Sequence, residues 1–243
     1  MSIPSAREKI LVVLHQEHSS PGKLGQMLLA KGFDLDVRKP RFGDPLPETM
    51  AGHAGAVIFG GPMSANDPDD YIRRETDWIG VPLAEGAPFL GICLGAQMMA
   101  KHLGGTVTSH CDGCCEIGFY RLAATAAGRA LCDWPAMVYQ WHREGFTLPA
   151  GCELLARGEV FENQAYRCGP AFGLQFHSEL TYAMACRWTV RGAERFALPM
   201  AQPRREHMAG WFRYDPAVRA WLATFLDVWL AQDCRDRERR RAA

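Results

Sequence analysis

The chain has 243 residues, 48% of them hydrophobic and 22% charged, the proportions of a globular protein with a full core. Its 27 Lys and Arg balance its 27 Asp and Glu, so no global field favours nucleic acid or an anionic membrane surface as a partner. The first apolar run, "ILVVL" (Ile10–Leu14), is too short for a signal-peptide core, and no stretch approaches a membrane span of about 20 apolar residues; with nine cysteines this points to a reducing cytoplasm and free thiols.

Taken in chain order, Ile10–Leu14 reads as a buried strand. "SSPGKLGQMLLAKGF" then sets Leu24, Met27, Leu28 and Lys31 at helical spacing, with Gly32 as the stop. "FDLDVR" (Phe33–Arg38) alternates like a strand near a sheet edge, and "AVIFGGP" is a continuous apolar run that breaks on two glycines. "DPDDYIRRETDWIGVPLAEG" predicts one helix, with Asp67 or Asp69 as cap and Tyr71, Trp78 and Leu83 on its apolar side. "APFLGI" is a third buried strand, and "AQMMAKHL" a helix with Ala96, Met99, Ala100 and Leu103 on one face, ended by Gly104-Gly105. The middle third breaks into short strand-like pieces, "EIGFYRL", "MVYQWH", "CELLARG", "QAYRCG" and "AFGLQFH", the last apolar enough to re-enter the sheet interior. Asp215-Pro216 predicts a cap and first-turn proline for a C-terminal helix whose Val218, Trp221, Leu222, Phe225, Leu226 and Trp229 face the body of the domain.

Apolar strands alternating with helices predict an α/β fold: a single domain with a mostly parallel open sheet, flavodoxin-like, covered by helices on both faces. It spans residues 8–232, and the mixed-charge tail at 233–243, with "RDRERRR" at its centre, reads as a solvated helix end.

Three segments carry chemistry. "GICLGAQ" (Gly91–Gln97) sets Cys93 between glycines at a strand-to-helix junction, where a sharp turn lifts a nucleophile above the sheet edge. The helix N-terminus behind it favours a thiolate and offers the Leu94 N–H to an oxyanion. "GGPMS" (Gly60–Ser64) ends another strand, and the N–H of Gly61 or Gly60 can face that of Leu94 if the two strands are neighbours. "GLQFHSEL" (Gly173–Leu180) places His177 and Glu179 two apart on a strand, on one face, so that the carboxylate fixes the imidazole's tautomer and supports its charge. An α/β-hydrolase with a cysteine elbow would carry its acid before the histidine on a separate loop, and an inactive relative has no need of all three groups. "HCDGCC" (His110–Cys115) has C-x-x-C spacing at Cys111 and Cys114 but no second pair, so no metal site is expected.

The three segments together resemble the class I, triad-type, glutamine amidotransferases, and most closely the stand-alone relatives of the GMP synthase amidotransferase domain; "LGGTV", "EIGFYRL" and "YQWHREGF" agree more weakly, over roughly Ile10 to Leu180. The resemblance implies that Cys93 attacks the glutamine side-chain amide and that the oxyanion rests on the Leu94 and Gly61 N–H groups. His177, oriented by Glu179, protonates the leaving ammonia and then activates water against a γ-glutamyl thioester. It further implies substrate contacts at Gly60, Gln97, Trp141, His142 and Arg143, no cofactor, and a partner: either a separate synthase subunit that uses the ammonia, or none if the enzyme is a γ-glutamyl peptidase acting on a small γ-glutamyl compound. The family usually has proline where Ser178 stands, which leaves the spacing of the pair intact but bears on the rigidity of its loop.

Overall fold

The computed structural model describes the backbone of residues 7–242 and the side chains as far as Ala231. Its first half alternates strand and helix: β1 (Lys9–Val13), α1 (Gly22–Ala30), β2 (Asp34–Arg38), β3 (His53–Ile58), α2 (Asp70–Trp78), α3 (Gly80–Glu85), β4 (Phe89–Ile92) and α4 (Leu94–His102). Short strands come next: β5 (Val107–Ser109), β6 (Glu116–Arg121), β7 (Ala123–Ala124), then α5 (Ala126–Leu131), β8 (Met137–His142), β9 (Glu144–Phe146), β10 (Glu153–Arg157), β11 (Asn163–Cys168) and β12 (Ala171–Leu174). Two helices, α6 (Tyr182–Arg191) and α7 (Arg204–Ala242), close the chain.

The main sheet has the order β2-β1-β3-β4-β12-β11-β10-β7. β2, β1, β3, β4 and β12 run parallel, while β11, β10 and β7 extend the sheet antiparallel. β1 shows why both faces must be covered, since successive side chains leave opposite sides of a strand. Ile10 and Val12 pack with Leu24 and Leu28 of α1 and with Phe225 and Trp229 of α7. Leu11 and Val13 pack with Ile72 of α2 and with Met98 and Met99 of α4. The apolar stripe of α7 is thus a core element, and each of its fully buried large side chains contributes about 2–3 kcal/mol. Beyond the sheet, the ribbon β6–β8 and helices α6 and α7 enclose a separate aromatic cluster around Phe119, Tyr139 and Met184.

The order β3-β4-β12 positions the site. Ile58 pairs with Gly91, and Leu174 with Ile92, so the segments leaving these three strands emerge side by side at one edge. The Cys93 N–H donates to the Leu174 carbonyl at 2.7 Å, tying the elbow to the end of β12.

Four local expectations are corrected. The predicted helix over 67–86 is two helices, because Pro82 has no N–H for the carbonyl four residues back and the chain breaks at Ile79. Asp69 stands at the N-cap of α2 without a side-chain hydrogen bond there, and Asp67 instead accepts the Ser64 N–H at 3.0 Å. Pro216 lies inside α7, which starts at Arg204; the Asp215 carboxylate, expected to cap it, pairs with the buried ammonium of Lys23 from α1. His177 and Glu179 lie beyond the end of β12, in a turn rather than on the strand. The tail continues α7 to Ala242, and its side chains lie outside the described residues.

The elbow glycines also act differently from the expectation of a glycine-built turn. Neither Gly91 nor Gly95 has positive φ, whereas Cys93 itself does, at 50°. The glycines provide room: a Cβ on Gly95 would strike the Ile58 carbonyl, and one on Gly91 would strike the Gly95 backbone. Gly95→Ala is therefore expected to destabilise the fold by about 3 kcal/mol, read as a lower denaturation midpoint at unchanged slope.

Candidate active site

Cys93 occupies the bend between β4 and α4 with φ 50° and ψ −103°, a conformation that costs an L-residue about 1–3 kcal/mol. The strain is held by packing on every side, since all of Leu94–Ala100 is buried and the N–H of Cys93 is fixed on β12. Cys93 is the N-cap of α4, so its sulfur lies at the positive end of the helix and next to the N–H of Leu94, one of the first-turn donors without an intrahelical acceptor.

His177 reaches Cys93 from the end of β12. Its N–H donates to the Tyr139 carbonyl of β8 at 2.9 Å, its ring meets Trp188 edge-on at 4.8 Å, and Nδ1 lies 2.8 Å from Glu179 Oε1. Both side chains are buried. Burial alone would push the imidazole's pKa down. The charges of Glu179 and Cys93 and hydrogen bonds to both outweigh it, and the balance is a rise to about 10. Such an arrangement holds a proton on His177 facing a nucleophilic sulfur. Ser178, between the two, is fully buried.

Gly60 and Gly61 follow β3, next to β4. A Cβ on Gly60 would lie 2.8 Å from His177 Cε1 and 3.3 Å from Cys93 Cβ, so only glycine lets the dyad close. Gly61 shares a recess of about 40 Å³ with Cys93, Leu94, Gln97 and Trp141–Arg143. Gln97 is buried rather than displayed: its Nε2 donates to the Glu144 carbonyl at 2.8 Å and to Gln175 Oε1 at 3.1 Å. Trp141 lies stacked on Tyr139, with interplanar angle 14°, and Arg143 is exposed at the rim. His142 departs from the role of a ligand contact, because its ring is directed away: Nδ1 lies 2.9 Å from the Glu144 carbonyl and Nε2 3.0 Å from Glu116.

Two features of the site carry no sequence motif. Gln175 donates from Nε2 to Cys93 Sγ at 3.7 Å, completing a relay from Gln97 to the sulfur; a polar residue in the apolar run just before His177 is its only trace. His15, after β1, is fully buried with Nε2 2.6 Å from Glu75 of α2, and its Nδ1 lies 3.2 Å from the Gly60 carbonyl. The pair is sixty residues apart in sequence, and no spacing rule connects a loop histidine to a helix carboxylate at that distance. In the "HCDGCC" loop the groups that converge are His110, Cys111 and Asp112, within 4.8 Å, and not the C-x-x-C pair.

Comparison with known proteins agrees with this geometry. The family described as "Glutamine amidotransferase class-I" matches residues 22–185. The glutamine-hydrolyzing subunit of the GMP synthase of Methanospirillum hungatei is 29% identical over 66% of this chain and 84% of its own. The glutamine amidotransferase-like protein YfeJ of Salmonella typhimurium is 27% identical over 71% of this chain and 76% of its own. The crystal structure of a glutamine amidotransferase from Methylobacillus flagellatus superposes with a TM-score of 0.87 at 27% identity, covering 93% of this chain and 96% of that one. Among the described residues no helix is long and apolar enough to cross a membrane. With a cysteine, a histidine and a carboxylate converging at the carboxyl edge of a parallel sheet, the chain belongs to the class-I glutamine amidotransferases, enzymes that act on glutamine.

Proposed function

We propose that this protein hydrolyses the side-chain amide of glutamine through a γ-glutamyl thioester on Cys93, in the reducing cytoplasm its cysteines suit, and that the ammonia passes to an acceptor held by a separate synthase subunit. The observation that carries the reading is the buried His177–Glu179 pair against Cys93, with a raised imidazole pKa that such chemistry requires and a structural role does not. The similarity to the GMP synthase subunit of Methanospirillum hungatei supports the synthase partner.

The sulfur attacks the amide carbon, and the oxygen takes up negative charge between the N–H groups of Leu94 and Gly61. His177 passes its proton to the departing nitrogen, the C–N bond breaks, and the thioester remains. The imidazole then accepts a proton from water as the oxygen attacks the acyl carbon, and glutamate leaves as the C–S bond breaks. Trp141 and Arg143 at the recess hold the α-groups of the substrate, and Gln97 acts by fixing Gln175 on the sulfur. The purified chain should release glutamate and ammonia in equal amounts from glutamine. Turnover that persists without Cys93 would remove the reading. Hydrolysis of a small γ-glutamyl compound is a second reading with the same thioester, favoured by the room beside His177.

His15 acts as a positioning residue in this scheme. In a trans peptide the C=O and N–H point in opposite directions, so holding the Gly60 carbonyl on His15 turns the Gly61 N–H toward the sulfur. Asparagine can place an amide N–H where Nδ1 stands, and glutamine only where Nε2 stands. His15→Gln is therefore expected to lower kcat about 100-fold and His15→Asn no more than about tenfold. Alkylation of Cys93 by iodoacetamide, which forms no oxyanion, should be equal in both. Equal loss of turnover in the two variants would mean that His15 only supports the fold.

A further inference from the structure

The room beside His177 has chemistry of its own. The recess that holds Cys93 opens at Gly61, Pro62, Trp141 and Arg195 into a second cavity of about 480 Å³, whose wall includes His177 and Glu179 but not the nucleophile. Because the departing nitrogen takes its proton from His177, the leaving group lies on this side of the scissile carbon. Ammonia occupies about the room of one water, about 30 Å³, and the cavity exceeds that more than tenfold.

Its charge is equally unsuited to ammonia alone. Arg187 and Arg191 stand one turn apart on α6, on either side of Trp188, and all three line the cavity. Among the described residues neither arginine pairs with a carboxylate. The acids of the same wall are engaged: Glu179 on His177, Glu194 near Arg195, and Glu17 near His18. Arg41, on the facing side, lies over the rings of Phe42 and Tyr71. Guanidinium groups without partners beside an indole form a site for a planar anion, and a carboxylate is the anion they match in bidentate geometry.

We propose that this cavity is a leaving-group subsite, and that beyond glutamine the enzyme cleaves γ-glutamyl amides of amines that carry a carboxylate, such as γ-glutamyl amino acids. The inference rests on the Cys93 thioester reading above. The balance is that of a hydrolysis: the S–C bond forms as the γ-amide C–N bond breaks, the amino acid departs with the His177 proton on its nitrogen, and water restores the thiolate and yields glutamate. The carboxylate of the departing amino acid sits between Arg187 and Arg191.

The test compares kcat/KM for γ-glutamylglycine, γ-glutamylglycinamide and glutamine. The two dipeptide substrates differ only in the terminal charge, so their ratio cancels any change in the amount of folded enzyme. The expected ratio of carboxylate to carboxamide is about tenfold or more, and the double variant Arg187→Gln, Arg191→Gln brings it close to one. A wild-type ratio near one, with glutamine turned over at least as well, overturns the subsite and leaves the thioester reading standing. Cys93-dependent turnover of none of the three, with no labelling of Cys93 by a chloroketone analogue of glutamine, overturns both.

Discussion

Cys93→Ala lowers amide hydrolysis by about five orders of magnitude, because it removes the atom that forms the acyl-enzyme and leaves only binding and the oxyanion donors. The fold should survive unaltered, since alanine meets the same backbone strain at φ 50° and fills the same packed bend. Cys93→Gly separates strain from chemistry. Glycine removes a penalty of about 1–3 kcal/mol at an entropic cost of about 0.5–1 kcal/mol. The glycine variant is then equally inactive but more stable than wild type, by about 1 kcal/mol. Matched activity assays and denaturant titrations on the three proteins measure both effects. A glycine variant less stable than the alanine variant would show that the bend is not strained, and that the elbow needs another explanation.

Glu179→Gln is expected to cost about a thousandfold in kcat while the protein remains folded. Glutamine can still accept the Nδ1 hydrogen bond now made at 2.8 Å, so the loss is one of charge rather than of orientation. Glu179 is one of the groups that raise the His177 pKa to about 10. Removing its charge lowers that pKa, and the imidazolium loses its proton at a lower pH. The alkaline limb of the pH–kcat/KM profile should therefore move toward acid by at least about one pH unit. A limb that stays in place, or moves to higher pH, would mean that Glu179 does not support the charge on His177.

The parts of the site legible in the sequence share one property: each motif directly follows an apolar strand. A run such as "AVIF" or "APFLGI" signals a buried strand, and the residues after it must emerge at the strand's carboxyl edge. Cys93, His177, Glu179 and the Gly60–Gly61 pair are accessible on that basis, and the alternation of elements implies the parallel sheet. Features that stay hidden depend on contacts between distant segments. Asp215 reads as a helix cap because Asp before Pro is a local signal, but Lys23, 192 residues away, claims the carboxylate and the helix runs straight through. Gln97 reads as an exposed residue of a first turn, yet α4 is buried on all sides between the sheet and β9. His15 and Glu75 form a buried pair behind the oxyanion loop, and neither carries a mark of it in its own neighbourhood. The elbow glycines are legible for an incomplete reason. Their place in the motif suggests relief of a bend, and they instead clear a path for the Ile58 carbonyl and for one another.

The central claim is the covalent intermediate on Cys93, and the most direct measurement is to trap it. Mixing the protein with glutamine, quenching in acid within the first turnover and mapping peptides by mass spectrometry should reveal glutamine less ammonia on the peptide that contains Cys93. The adduct should be absent from Cys93→Ala, and its amount should rise in Glu179→Gln if deacylation is slowed more than acylation. Release of glutamate and ammonia with no adduct on Cys93, or with the adduct on another cysteine, would contradict the account.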